Sequence, residues 1–291
     1  MSRADRPRVA ILMQGGKDDP RIPRVSPLTS EIVARLQDQG VIVDSIIPGS
    51  GIIDIAAIRP THDLYVLKEK NALNLSFAGV LELSGAQIVN TVRSCVIARD
   101  KIAATALVAA AGVPVPPSWT TGNTKLLGDF LENGPIWLKP QRGSRGFGVR
   151  RITSQDNLTD QEITDHYGLP LPVFAQREVP SDGQDFKVYV VGEKVWALRR
   201  SFPALSLEEK LGRAVGVPRA IKDAAIACGE ALGLEIYGVD FLVQGSEFSV
   251  VDVNAFPGFK GIAAAPSAIA DYLYRKARPA WSDAERAEMA L

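Results

Sequence analysis

The sequence predicts a mixed α/β protein that takes on α+β character in its C-terminal half. Three observations lead there. Over residues 1–92, short apolar runs alternate with stretches of helical spacing, the pattern of βαβ units around a parallel sheet. From residue 173 onward, strand-like runs follow one another across short turns, which suits an antiparallel sheet. A chain of 291 residues with 46% apolar and 23% charged side chains also has material for two or three cores.

Taken in order, residues 8–13 read as a buried strand ended by Gly15 and Gly16. A proline-broken loop up to Pro27 carries Lys17, Arg21 and Arg24. Residues 28–39 have helical spacing through Ile32, Val33 and Leu36 and stop at Gly40. Residues 41–47 and 63–67 are strands, the second ending at Lys68; 72–84 is a helix stopped by Gly85, and 87–90 is a fourth strand. This makes 1–92 a small doubly wound domain.

Ser94 is placed to cap one helix running to Ala111 and stopped by Gly112. Residues 113–117 are extended, because their prolines forbid helix. A strand at Trp119–Thr120, a short helix over 126–132, and strands over 136–139 and 149–152 joined by a glycine-rich segment make a small lobe, 93–172. The remaining lobe, 173–291, has strands at 173–176, 186–191, 195–200, 239–243 and 248–254, a helix over 219–232 ended by Gly233, and a last helix from near Pro266 to about Lys276. The charged tail from Arg278 is expected to fray.

Composition excludes several classes. Lys+Arg and Asp+Glu are both 33, so there is no basic excess for nucleic-acid binding. The two cysteines, Cys95 and Cys228, form no C-x-x-C pair, which argues against zinc or dithiol chemistry and for reduced thiols in a cytoplasmic protein. Two histidines, His62 and His166, give a His-rich metal site or a Ser-His-Asp triad little to build on. The N-terminal apolar run is too short for a signal peptide and no stretch suits a membrane span, so neither export nor membrane insertion is expected. Oligomeric state is left open.

The most informative chemistry lies in two Val-rich runs near the C-terminus. Because strand side chains alternate, Val250, Asp252 and Asn254 are expected to share one face. A three-residue loop over 244–246 would set Asp240 opposite Val250 and diagonal to Asp252. Two carboxylates and an amide oxygen are hard ligands of the kind Mg²⁺ takes when phosphates and water complete its shell. An exposed polar face of an edge hairpin is the plainer alternative, but Asp and Asn are poor strand formers.

Further upstream, Gly143, Ser144, Gly146 and Gly148 form a glycine-rich segment whose backbone N–H groups can approach phosphate oxygens closely. It fits neither the P-loop nor the dinucleotide fingerprint, but Lys139 just before it can neutralise phosphate charge. Lys101 sits one turn into the helix beginning near Ser94, where a lone lysine is usually a solvated face residue. Lys187 and Arg200 each place a cation within an apolar strand; triphosphate, or the nearby acids Asp185 and Glu193, could balance them.

These pieces, in this order, resemble the ATP-grasp superfamily. The resemblance runs from Arg99-Asp-Lys101 through Leu138-Lys139, the glycine-rich segment, Ala175-Gln-Arg-Glu-Val179, Asp185-Phe-Lys187, Arg200 and Gly238-Val-Asp240 to Asp252-Val-Asn-Ala-Phe-Pro-Gly258. It implies an ATP-grasp fold and the following roles. Lys101 and Lys139 contact ATP phosphates. Gln176, Arg177, Glu178 and Val179 form a hinge at the adenine, partly through backbone groups, although relatives often have Gln-Glu where this chain has Gln176-Arg177. Asp185, Lys187 and Arg200 lie along the nucleotide and reaction centre. Asp240, Asp252 and Asn254 hold one or two Mg²⁺ ions, with Mn²⁺ as a substitute.

Two branches compete. The segment Phe186-Lys-Val-Tyr-Val-Val-Gly-Glu193, the run ending at Gly258, and Asp63-Leu-Tyr-Val-Leu-Lys68 look like inositol trisphosphate 5/6-kinases. The loop Gly143-Ser-Arg-Gly-Phe-Gly148 looks like RimK-type carboxylate–amine ligases, which usually have Glu where Asp252 stands. A ligase would form an amide through an acylphosphate and release ADP. A kinase would phosphorylate a polyol hydroxyl. In either case Lys17, Arg21, Arg24 and Lys68 are candidate contacts for an anionic small-molecule substrate, whether a carboxylate or a polyol phosphate.

Overall fold

The computed structural model describes residues 6–19, 21–143, 148–154, 172–202 and 211–278. In chain order the elements are β1 (Arg8–Leu12), α1 (Pro27–Asp38), β2 (Ile42–Ile46), β3 (Leu64–Leu67), α2 (Ala72–Leu83), β4 (Ile88–Val89), α3 (Val92–Arg99) and α4 (Lys101–Ala110). They continue with β5 (Ser118–Thr121), α5 (Gly128–Leu131), β6 (Ile136–Pro140), β7 (Arg150–Ile152), β8 (Val173–Arg177), β9 (Gln184–Val191) and β10 (Lys194–Ser201). The last are β11 (Arg213–Val215), α6 (Arg219–Leu232), β12 (Ile236–Gln244), β13 (Glu247–Ala255) and α7 (Ala265–Ala277).

The chain divides into two compact units. The first comprises Met1–Arg93, Val191–Lys194 and Ile262–Leu291; the second, Ser94–Val190 and Val195–Gly261. The first unit carries a four-stranded sheet of order β2-β1-β3-β4, with parallel pairing throughout, as the alternation of strands and helices predicts. Helix α1 starts where Ser26 accepts from the Thr29 N–H and Pro27 fills the first turn. Its buried residues Ile32 and Leu36 lie on the side of α1 that packs with α7, whose buried residues include Ile269 and Leu273. The loop after β1 is more ordered than its prolines suggest. Arg24 N–H donates to the Gln14 carbonyl at 2.8 Å and Gly16 N–H to the Ile22 carbonyl at 2.7 Å, which makes a hairpin-like turn.

The second unit holds two sheets. In the smaller, of order β5-β8-β6-β7, the strands pair antiparallel around a core of Leu127, Ile136, Leu138, Ile152, Val173 and Ala175. The larger has order β11-β10-β9-β12-β13. Helix α6 packs on it closely: Tyr237 Oη donates to the Ala225 carbonyl at 2.9 Å, beneath Gly229, where no side chain intervenes. The helix ends at Gly233 in the left-handed region (φ 65°).

Three expectations are corrected. The single helix expected from Ser94 to Ala111 is two, α3 and α4, broken at Asp100. Asp100 adopts an extended conformation and caps α4 by accepting from the Ile102 and Ala103 N–H groups, while Ser94 lies inside α3 and donates to the Gly233 carbonyl. Strand β11 was not foreseen; three residues are too few to show a period. The β12–β13 loop has two residues, Gly245 and Ser246, since Gln244 pairs with Glu247. A register shift between Asp240 and Phe241 leaves Val251 as the extra residue of a bulge. Asp240 therefore stands directly opposite Asp252 rather than Val250, and Val250, paired with Phe241, turns to the other face.

Candidate functional site

One face of the larger sheet gathers the charged residues of β9, β10, β12 and β13. Asp185, Lys187 and Tyr189 alternate along β9 and so share a face. Arg200 of β10 donates from Nε to Asp185 Oδ1 at 2.7 Å and from Nη2 to Asp185 Oδ2 at 2.6 Å. Its Nη2 also reaches Asp240 Oδ1 at 2.9 Å, while Lys187 Nζ donates to Asp240 Oδ2 at 2.6 Å. Of the balancing partners the sequence left open for Arg200, Asp185 is the one it meets. Gly238, two residues before Asp240, makes room for the lysine stem: a Cβ there would lie 3.3 Å from both Lys187 Cε and Tyr189 Cδ1.

On β13, Asn254 Nδ2 donates to Asp252 Oδ2 at 2.8 Å, so the Asn254 amide oxygen is the atom left for other partners. Asp240, Asp252 and Asn254 thus stand on the same side of their hairpin, and this donor set suits a hard divalent cation. Among the described residues no group of three or more His, Cys, Asp or Glu is gathered for a metal, so any cation here would need the Asn254 amide beside Asp252 and Asp240, and both oxygens of Asp240 already accept from cations.

Burial and charge oppose each other across this face. Burial raises the Asp185 pKa and outweighs the lowering effect of Arg200. Burial disfavours the Arg200 guanidinium, but the Asp185 hydrogen bonds and the charges of Asp240 and Asp185 together raise its pKa. Burial, helped by Asp240, pushes the Tyr189 hydroxyl up to about 12.

The smaller sheet adds a second set of groups. Lys139 Nζ donates to Gln176 Oε1 at 2.6 Å, and Gln176 Nε2 to Ser118 Oγ at 3.2 Å. Burial lowers the Lys139 pKa to about 8; the charges of Asp252 and Asp240 oppose that lowering and Lys101 adds to it. The Lys139 ammonium is therefore within electrostatic reach of the carboxylates of the larger sheet and of the lysine at the start of α4. Lys101 is tied to the strand ahead of the glycine-rich segment. Its N–H donates to the Gln141 carbonyl at 3.0 Å and its Nζ to the Gly143 carbonyl at 3.1 Å. Asp100 accepts from Gln141 Nε2 at 2.6 Å. Gly143 and Gly148 flank the segment, Gly148 with φ 72°; Ser144 and Gly146 lie outside the described residues.

Over the expected hinge, residues 176–179, the side chains divide. Gln176 is buried beside Lys139. Arg177 turns to the carbonyls of Gly134 and of Phe130 (2.6 Å) and lies over the Trp119 ring. Glu178 accepts both arms of Arg151 at 2.8 and 2.7 Å, which lowers its pKa. The N–H groups of Arg177 and Glu178 donate to Pro117 and Pro135 carbonyls at 2.8 and 3.0 Å. Val179 follows, half-buried. A mostly apolar cavity of about 360 Å³ lies along the neighbouring surface, between α4 residues such as Ile102 and Ala106 and the side chains of Pro116, Trp119 and Phe174.

The remaining predicted residues belong to the first unit. Arg21 is exposed and pairs with Asp19 at 2.9 Å; Lys17 and Arg24 are exposed in the same loop after β1. Lys68 follows β3, and its carbonyl accepts from Lys70 at 3.1 Å. The sheet order changes direction between β1 and β3, so these loops flank its topological switch point.

Sequence reasoning missed Gln141, Ser118 and Arg151, and gave Asp100 and Gly238, both within the quoted motifs, no role of their own. The break at Asp100 had a signal, an N-cap residue ahead of an apolar helix; the others depend on contacts far away in sequence. No helix among the described residues is long and apolar enough to cross a membrane.

Comparison with known proteins brings these features together. A family model described as the RimK-like ATP-grasp domain matches residues 98–272. A probable alpha-L-glutamate ligase from a Shewanella species is 27% identical over 192 residues, 62% of this chain and 63% of that protein. Its counterpart from Sodalis glossinidius is 29% identical over 195 residues, 63% of this chain and 65% of that protein. The chain thus spans somewhat less than two thirds of the length of these curated relatives. Among solved structures, a RimK domain ATP-grasp protein from Sphaerobacter thermophilus superposes with a TM-score of 0.72 at 20% identity, covering 91% of this chain and 98% of that one. The ATP-grasp ligase PsnB complexed with a minimal precursor gives 0.67 at 20% identity, covering 94% and 99%.

Proposed function

This chain belongs to the RimK-like ATP-grasp family and has the ATP-grasp fold, and from that premise we propose that it is an ATP- and Mg²⁺-dependent carboxylate–amine ligase that releases ADP. The observation that supports this best is the convergence of Lys139, Lys187 and Arg200 with Asp240, Asp252 and Asn254 in one unit.

Lys101 and Lys139 bind the phosphates beside the glycine-rich segment, of which Gly143, Ser144, Gly146 and Gly148 are the nucleotide-facing members. Gln176 meets the adenine edge. Arg177 and Glu178 serve it through their backbone carbonyls, because their side chains and N–H groups are engaged within the small lobe, and Val179 completes the hinge. Asp252 and Asn254 would supply oxygens for Mg²⁺, with Asp240 opposite Asp252 as the third member of the set. When bound, Mg²⁺ offsets the charge of the phosphate oxygens. A PsnB structure is complexed with Mg and ADP, which supports this cofactor pair.

A substrate carboxylate attacks the γ-phosphorus and ADP leaves. The amine nitrogen then attacks the acyl carbon, phosphate leaves with the acyl oxygen, and the nitrogen loses its proton. Arg200 and Lys187 offset the charge of the transferring group, the largest electrostatic demand on the site. Lys17, Arg21, Arg24 and Lys68, at the switch point of the first unit, are candidates to hold the acidic substrate. The names of the curated relatives support glutamate as one partner, and a PsnB structure complexed with a precursor peptide and AMPPNP supports a peptide as the other.

The test is ADP release in the presence of Mg²⁺, with glutamate, candidate peptides and inositol phosphates as substrates, followed by product mass. An amide condensation product is expected. A product heavier by one phosphate, formed from an inositol phosphate, would overturn the ligase reading in favour of a kinase.

A further inference from the structure

We infer that Asp185 is the positioning residue for Arg200, acting on the nucleotide only through that guanidinium. The inference deepens the nucleotide reading above and rests on it. The resemblance sets Asp185 itself along the nucleotide, but both of its carboxylate oxygens already accept from Arg200, at 2.7 and 2.6 Å. Two parallel charge-assisted bonds fix the plane of a guanidinium, which a single contact does not. Arg200 Nη2 is shared between Asp185 and Asp240, so its Nε–Nη2 edge faces the two carboxylates. The Nη1 end lies away from that edge and is the part of the fork left for an incoming anion. Asp185 is only 7% exposed, which leaves little of its carboxylate open to a ligand. Lys187, two residues along the same strand, pairs instead with Asp240. Of the two acids on Arg200, Asp185 alone grips it with both oxygens, and Asp240 is shared with Lys187.

The reading separates two nucleotides. ADP lacks the γ-phosphate that Arg200 would contact, whereas the imido analogue AMPPNP carries it. Calorimetric titration of both, with Mg²⁺ present, is the experiment. Wild type is expected to prefer AMPPNP over ADP. Asp185→Asn, nearly isosteric, should keep ADP affinity within about twofold and lose about tenfold of that preference. Arg200→Ala should do the same, and the double variant should lose no more than Arg200→Ala alone, because the two residues act as one unit. Arg200→Lys keeps the charge but not the fork. It should also lose the preference with Asp185 intact, which tests the idea should Asp185→Asn fold poorly. Equal weakening of ADP and AMPPNP by Asp185→Asn would mean direct nucleotide contact and overturn the assignment. Retained preference, or additive losses in the double variant, would overturn it as well. A wild-type protein that binds neither nucleotide would instead overturn the nucleotide reading and this assignment with it.

Discussion

Replacing Lys139 by methionine should make the protein more stable at neutral pH while weakening nucleotide binding. Burial holds the Lys139 pKa near 8, against 10.5 for a free lysine. That difference corresponds to about 3 kcal/mol of preference for the unfolded state while the group is protonated. The folded-state pKa lies below the unfolded one, so the unfolded chain binds the proton more tightly. The penalty is fully present below about pH 8 and is relieved as the pH rises toward about 10.5. Methionine keeps the length of the stem without the charge. It leaves Gln176 Oε1 without its donor from Lys139, which costs about 1 kcal/mol. The net expectation at pH 7 is a gain of about 1–2 kcal/mol, or a few degrees in Tm. The assay is thermal or urea unfolding of both proteins at pH 7 and near pH 10, with ADP titration alongside. The gain should vanish by the upper pH, and ADP affinity should fall by tenfold or more (~1.4 kcal/mol). A variant less stable than wild type at pH 7, or one whose gain is the same at both pH values, would refute the burial argument.

Three further outcomes follow from the geometry. Asp252→Ala should leave the fold intact and abolish the increase in ADP affinity on adding Mg²⁺; an unchanged Mg²⁺ response in calorimetry would remove Asp252 from the metal set. Asp100→Ala removes the cap of α4 and the acceptor for Gln141, and should cost about 1–2 kcal/mol in urea unfolding. Wild-type stability would show that the helix break does not depend on this carboxylate. Gly229→Ala sets a Cβ 2.1 Å from Tyr237 Oη, so α6 must shift off the sheet at a cost of about 1–3 kcal/mol. A neutral denaturation midpoint would mean that the helix packs less closely than described.

Much of the fold could be read locally. The parallel β2-β1-β3-β4 sheet follows from strand and helix periods that each need only a dozen residues to declare themselves. Gly233 marks the end of α6 because only glycine adopts its backbone conformation without strain. Asp100 shows the limit of that approach. Its capping role was visible in the sequence, yet the apolar pattern on either side suggested one continuous helix.

What the sequence determined by itself was the inventory of the candidate site: the lysines, the arginine, the hard oxygen donors and their order, because residue chemistry and strand alternation are local properties. What only the tertiary structure decided was which of them meet. The bulge at Val251 sets Asp240 against Asp252, Arg151 claims Glu178, and Asp185 claims Arg200. The periods that reveal each strand do not fix the register between strands, and it is register and cross-strand pairing that settle which charged groups meet.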